Sequence, residues 1–197
     1  MAGGQVLHGL PAPVRTAAPA TNPVSLAEAK AHLRVDHSDH DTRIASLIEG
    51  ATANLDGYTG ILGRALVTQT WRQDFPAFTD LLRLPLRPVA SITIVTYYDA
   101  NNAQQTLAST VYGLFSDALG AYVALKPDQT FPSTYARRDA VSITYVAGVA
   151  ASAVPGPIKQ AILLQVEILY DRPDGSPLDG LERASASLLR PYMAVGV

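Results

Sequence analysis

The chain has 197 residues, 16% of them charged, no cysteine and a formal net charge of −2. The missing cysteines exclude disulfide frameworks, thiolate metal sites, Fe–S ligation and cysteine nucleophiles, and the near-neutral balance argues against a broad basic surface gripping nucleic-acid phosphates. No run approaches the roughly 18 consecutive apolar residues of a membrane span, so no membrane partner is expected.

Residues 1–24 carry one charged side chain, Arg15, and the prolines Pro11, Pro13, Pro19 and Pro23. A basic start followed by an apolar block is missing, so no secretory signal is expected. Ala2 stands where myristoylation needs glycine. Two readings fit this composition. The segment is a proline-blocked disordered tail, or it is an extended arm that orders on a neighbouring subunit, with Val6, Leu7, Leu10 and Val14 as its contacts.

Ser25 followed by Glu28 is a capping box, and Leu26, Ala29 and Leu33 share one face, which predicts a helix over 25–34. A second helix is predicted over 39–56, starting at Ser38 with Asp41 at its third position. Ile44, Leu47, Ile48, Ala51 and Leu55 form its stripe, and Gly57 or Gly60 ends it.

The pattern then turns to alternation and β-branched residues. Strands are predicted at Leu66 to Trp71, Leu81 to Leu84, Ser91 to Tyr98, Gln104 to Leu107, Tyr112 to Ser116, Tyr122 to Leu125 and Ala140 to Val146. Asp99-Ala100-Asn101-Asn102 supplies a hairpin turn. The spacing suggests a small antiparallel sandwich or barrel. Helix returns after Pro155-Gly156-Pro157, with Ile158, Ala161, Ile162, Gln165, Ile168 and Leu169 on its apolar face. A last helix over 178–190 carries Leu181, Ala184, Leu188 and Leu189 and stops at Pro191.

The fold class is therefore α+β. A four-helix domain made from both chain ends (25–62 and 155–193) would interrupt itself with an inserted β domain (63–154), because terminal helices must meet to bury their stripes. Residues 28–58 hold six acids against three bases, and residues 59–150 six against seven, so neither part names a partner by charge.

His32, Asp36, His37, Asp39, His40 and Asp41 form the densest polar group. Imidazole and carboxylate at this spacing can ligate a divalent ion, yet a solvated connection whose acids cap the next helix explains them better, and no metal or cofactor is expected. Gly57, Gly60 and Gly63 follow a helix and precede a strand, the reverse of a phosphate cradle. Arg137-Arg138-Asp139 reads as a solvated strand start. No nucleophile elbow, P-loop, metalloprotease or dinucleotide motif is present, so no enzyme is expected. Tyr97, Tyr98, Tyr112, Tyr122, Tyr135 and Tyr145 could line a carbohydrate- or ligand-binding β module, the alternative function. Cross-strand pairing within a small sheet is the plainer account.

The run Pro23-Val24-Ser25-Leu26-Ala27-Glu28-Ala29-Lys30-Ala31-His32-Leu33-Arg34-Val35-Asp36 resembles the opening helix of head–tail connector proteins of long-tailed phages. Asp39-His40-Asp41 with Ile44, Leu47, Ile48 and Gly57-Tyr58-Thr59-Gly60 is similar to that family's second helix and its end. Leu188-Leu189-Arg190-Pro191-Tyr192 resembles its C-terminal signature, and a β block between helix pairs also occurs in phage-derived gene transfer agents. His40 stands where family members often carry an acid. The resemblance implies a head-completion adaptor, assembled in the bacterial cytoplasm and located in the virion or phage-like particle. It would be a ring of copies, twelve to match the portal, with portal on one rim and stopper or tail proteins on the other. DNA would pass through the lumen without sequence-specific binding. It also implies that the C-terminal segment docks on the portal, which makes Leu188, Leu189, Arg190, Tyr192 and Met193 the candidate anchors.

Overall fold

In a computed structural model, residues 9–172 and 179–193 are described. The chain divides into two compact units: Pro19–Thr68 with Gly148–Val197, and Met1–Ala18 with Gln69–Ala147.

The first unit is helical. Helix α1 (Leu26–Leu33) starts at the capping box: Ser25 Oγ accepts the Glu28 N–H at 3.2 Å, and the Glu28 carboxylate accepts the Ser25 N–H at 2.7 Å. It ends at Arg34, a non-glycine residue at φ 57°, where the Val35 N–H reaches Lys30 O at 3.0 Å. Helix α2 (Asp41–Leu55) starts later than Ser38. His40 is the residue at the cap, with no side-chain cap bond, because its ring turns to Tyr170 on the opposite helix instead. Asp41 is thus the first helical residue rather than the third.

Helix α3 (Gly156–Asp171) follows a short 3-10 turn at Ala151–Ala153, with Pro157 in its first turn. Its buried face is Ile158, Ala161, Ile162, Leu164 and Val166. This departs from the expected stripe, since Leu169 is exposed and Gln165 is half-buried. Helix α4 (Asp179–Leu189) runs into a 3-10 turn at Arg190–Tyr192. Here Ser185 is buried and Ala184 exposed, the reverse of the predicted face. The Ser185 hydroxyl compensates by donating to Ala161 O at 3.3 Å; a buried hydroxyl is tolerated when it has a partner.

One core joins the two chain ends. Val24, Ala29, Ile44, Ile48, Ala51 and Leu55 pack with Leu62, Leu66 and Val67, and with Ile158, Ala161, Ile162, Val166 and Leu189. Each leucine, isoleucine or valine so withdrawn from water contributes roughly 1.5–3 kcal/mol, the alanines less.

The second unit is antiparallel β. A five-stranded sheet has the order β1 (Val14–Ala17), β2 (Gln69–Phe75), β8 (Val141–Ala147), β4 (Val89–Tyr98), β5 (Gln104–Thr106). A three-stranded sheet has the order β3 (Leu82–Arg83), β7 (Gly120–Leu125), β6 (Tyr112–Asp117). Neither sheet closes into a barrel. In β8, Val141, Ile143, Tyr145 and Ala147 are fully buried while the residues between them are not, the period-2 pattern of a strand with one face on a core. Trp71 stands opposite Tyr145, which stands opposite Ile92. The Asp99 carboxylate holds the β4–β5 turn by accepting from Asn101 N, Ala103 N and Gln105 Nε2.

The first of the central strands lies three residues beyond its predicted place. Leu66 and Val67 belong to the helical core, where Thr68 N–H donates to Val149 O at 2.9 Å. The alternation read from Leu66 to Trp71 crosses the border between units at 68/69. Within the segment expected as an arm, β1 pairs with β2 of the same chain. Gln73 Nε2 donates to Pro11 O at 2.8 Å.

Candidate interface surfaces

The polar cluster predicted around α1 and α2 is distributed among pairs. His32 Nε2 meets Glu167 Oε2 at 2.8 Å, and Lys30 Nζ meets Asp41 at 2.6 Å. His40 Nδ1 shares a hydrogen bond of 2.5 Å with the Tyr170 hydroxyl. His37 lies edge-on to His40, with ring centroids 4.9 Å apart. Among the described residues no group of three or more His, Asp or Glu side chains is arranged to hold a metal ion. Arg43 caps the end of α3: its guanidinium donates to Tyr170 O at 2.9 Å and lies 4.8 Å from the Tyr170 ring centroid. A cation there complements the exposed carbonyls of a helix whose own last turn has no basic residue.

Most of the tyrosines are likewise committed within the β unit, Tyr97 against Phe78 among them, while Tyr135 is 45% exposed. Tyr145 and Tyr112 are buried, and burial pushes both phenols up. Arg137 lies 3.7 Å from the Tyr98 ring centroid and is clamped on Asp139 at 2.7 and 2.8 Å. Arg83 lies over Tyr122 at 5.5 Å and holds Asp117 through two bonds of 2.9 and 2.7 Å. That pairing draws the Asp117 carboxyl down to about 2.

At the chain's end, Leu189 is 5% exposed, inside the helical core, and Leu188 and Tyr192 are half-buried against it. The Tyr192 ring also lies 5.9 Å from the Arg64 guanidinium. Arg190 and Met193 are exposed, Met193 at 47%. Of the predicted arm contacts, Leu10 is half-buried and Val14 is exposed on β1. Val6 and Leu7 lie outside the described residues.

A surface that sequence reasoning missed lies just past α2. The turn over residues 57–63, read only as a helix stop, holds Tyr58 and Ile61 in solvent at 47% and 50% exposure. The signal was present as two large apolar residues among three glycines. The first glycine supplies a left-handed φ of 83°, which suits a residue without Cβ.

Residues 23–112, a little under half of the chain, match the family described as "Phage gp6-like head-tail connector protein". The chain resembles the phage head–tail connectors. The matched span of this connector-like chain begins at Pro23, covers α1 and α2 whole, and runs into the β unit. Among solved structures it is similar to a chain of the neck of an empty gene transfer agent particle computed with C6 symmetry. The TM-score is 0.77 and the identity 21%, over 94% of this chain and 97% of that one. A chain from the virion of a native gene transfer agent particle gives 0.73 and 23%, over 94% and 96%. A chain from the neck of a native particle computed with C12 symmetry gives 0.65 and 24%, over 92% and 97%. At these identities the likeness is one of fold, and it spans both units. No curated protein matches the chain.

Proposed function

We propose that this chain is a structural adaptor of the neck of a phage or phage-like particle. Copies form a ring, twelve matching the portal, between the portal and the stopper or tail proteins; the ring completes the head and leaves a conduit for DNA. It works in the particle after assembly in the bacterial cytoplasm, and its role is mechanical rather than catalytic. The single observation that carries this reading is the head–tail connector likeness over residues 23–112. The neck proteins of similar fold, computed with C6 and C12 symmetry, support a ring.

The physical chemistry agrees. Each tight phosphate contact inside a conduit would hold the duplex back and add to the salt dependence of its release. The chain's 15 basic residues against 17 acidic ones suit a channel wall that lets DNA slide. The C-terminal segment is the portal-docking element in this reading, with Arg190 and Met193 presented outward and Leu188, Leu189 and Tyr192 fixing the segment to its own subunit. Exposed apolar and arginine anchors on a rigid base are the usual carriers of interface energy.

Co-sedimentation with purified portal rings tests this. The full chain is expected to pellet with the portal. Truncation after Arg190 is expected to abolish pelleting while far-UV circular dichroism stays nearly unchanged. Undiminished pelleting of the truncated chain would remove the docking role of the residues past Arg190, and no pelleting of the full chain would remove the adaptor reading.

A further inference from the structure

In the single chain, the β2 edge of the five-stranded sheet is covered by β1, whose four residues are all exposed. The strand therefore adds little to the core and is held by its pairing with β2 and by a few anchors. Gln73, itself 2% exposed, donates its amide to Pro11 O at 2.8 Å and to Asp74 O at 3.0 Å. Thr16 Oγ1 donates to Thr70 O at 3.3 Å, and the Arg15 guanidinium lies 5.8 Å from the Trp71 ring centroid. A buried donor left without its acceptor costs about 1–3 kcal/mol, so β2 is built to receive an extended segment of this sequence. No turn requires that segment to come from the same chain. A hairpin loop of about 2–5 residues would impose it, but residues 18–68 separate β1 from β2. The connection leaves the β unit at once, between Ala18 and Pro19. Among the described residues, 18–24 take part in no backbone hydrogen bond outside helices and strands, and Ala18, Ala20 and Thr21 are exposed. Pro19 and Pro23 hold Ala18 and Asn22 extended, so residues 18–23 span up to about 20 Å.

We infer that in the assembled ring β1 of each copy fills the β2 edge of a neighbouring copy, an inference that rests on the adaptor reading above for setting copies side by side. The occupant is a second copy because this sequence brings Pro11 O, Arg15 and Thr16 in the register that Gln73, Trp71 and Thr70 meet. An exchanged strand makes in the neighbour the bonds that it makes in its own chain, so exchange loses no contact and interlocks the copies. Within one chain, the connecting residues keep β1 at a raised effective concentration near β2. A neighbour fixed in a ring presents its edge at a comparable concentration, which cancels that advantage. The difference then lies in the connection, and prolines that resist folding back suit a segment that runs on to the next copy. The bonds are the same whether two copies trade strands or each passes its own onward; the ring reading, not the strand, selects the second.

The chain has no cysteine, so one disulfide reports which copy supplies the strand. Val14 and Arg72 are Cα partners across the two strands, and both are exposed. Full-length Val14→Cys and full-length Arg72→Cys are mixed in equal amounts, pelleted with portal rings, oxidised and digested. A 14–72 disulfide in that mix can only join two chains. The same mix is oxidised at high concentration without portal. The expected result is a dimer band on a non-reducing gel whose linked peptides span positions 14 and 72. It should far exceed the yield when Leu169→Cys, at another exposed position, replaces Arg72→Cys. The doubly substituted chain controls for geometry, since it forms the 14–72 bond whichever copy supplies the strand. Where circular dichroism shows that a substitution disturbs the fold, Ala17→Cys and Thr70→Cys, also Cα partners, take its place. A bond in the double variant and none in the mixed pellet would mean that β1 remains on its own chain, which overturns the inference and leaves the ring reading standing. Equal yield from the Leu169→Cys mix overturns it too, as does a folded double variant that forms no bond. Failure of the full chain to pellet sinks the ring reading instead. The portal-free mix then decides, a 14–72 bond between chains supporting strand exchange and its absence overturning it.

Discussion

Ser25 and Glu28 show how much one pair of residues settles at a helix start. The Ser25 backbone N–H, more than the Ser25 hydroxyl or Lys159, draws the Glu28 carboxyl below its ordinary range. Ser25→Ala is expected to cost about 1 kcal/mol of stability in urea denaturation, the usual value of a lost N-cap. A change below a few tenths would mean that the box is not formed in solution. The β unit has its own acid-sensitive points. Asp117 is held down first by the Arg83 side chain, Asp99 by Gln105, and Asp139 by Arg137. A carboxyl whose pKa is lower folded than unfolded stabilises the fold above its unfolded value, near 3.8, and loses that contribution as pH falls through the folded value. Stability is therefore expected to hold above about pH 4 and to fall between about pH 4 and 2. Asp117→Asn should flatten part of that slope, read as the urea midpoint against pH. An unchanged slope would contradict the Arg83–Asp117 pairing.

At the scale of elements, two glycine positions where a Cβ would meet backbone are the sharpest test. A Cβ at Gly60 would meet Asp56 O at 2.4 Å, and one at Gly148, at φ 95°, would meet Val67 O at 2.3 Å. Either substitution to alanine is expected to destabilise the helical unit by about 1–3 kcal/mol, whereas Gly50→Ala, in open space inside α2, should stabilise it by up to about 1 kcal/mol. Thermal unfolding of the three variants side by side checks the order. Most elements were legible from the chain alone, because capping residues, turn residues and period carry local information. Helices α1 and α2 and the strands β4 to β8 lie within a few residues of their predicted bounds. The departures have tertiary causes. His40 sits at the cap with its ring bonded to Tyr170 rather than to the helix start, and Ser185 is buried with Ala161 O accepting its hydroxyl. The alternation at Leu66 to Trp71 is cut by the border between two units, which period alone does not mark. Of the candidate interface surfaces, the C-terminal segment rests on the family resemblance alone, and its docking role is the proposal that the pelleting experiment tests. The Tyr58–Ile61 turn was not, because exposure of an apolar residue follows from packing that no local pattern encodes.

For the whole molecule, the joining of both chain ends in one core is what makes the adaptor reading coherent. Ile48 of α2 and Ile162 of α3 share that core, so Ile48→Ala and Ile162→Ala are each expected to cost about 2–5 kcal/mol. At the same time they should lower pelleting with the portal, because the C-terminal segment is anchored on the same core through Leu189. Loss of stability with full pelleting would separate the docking segment from the core. The central claim is that this chain completes a head so that a tail can join it. The measurement that reaches it most directly is electron microscopy of particles made in cells with and without its gene. The account predicts DNA-filled heads with portals and no attached tails when the gene is deleted, and restoration by the intact gene; complete tailed particles from the deletion would contradict it.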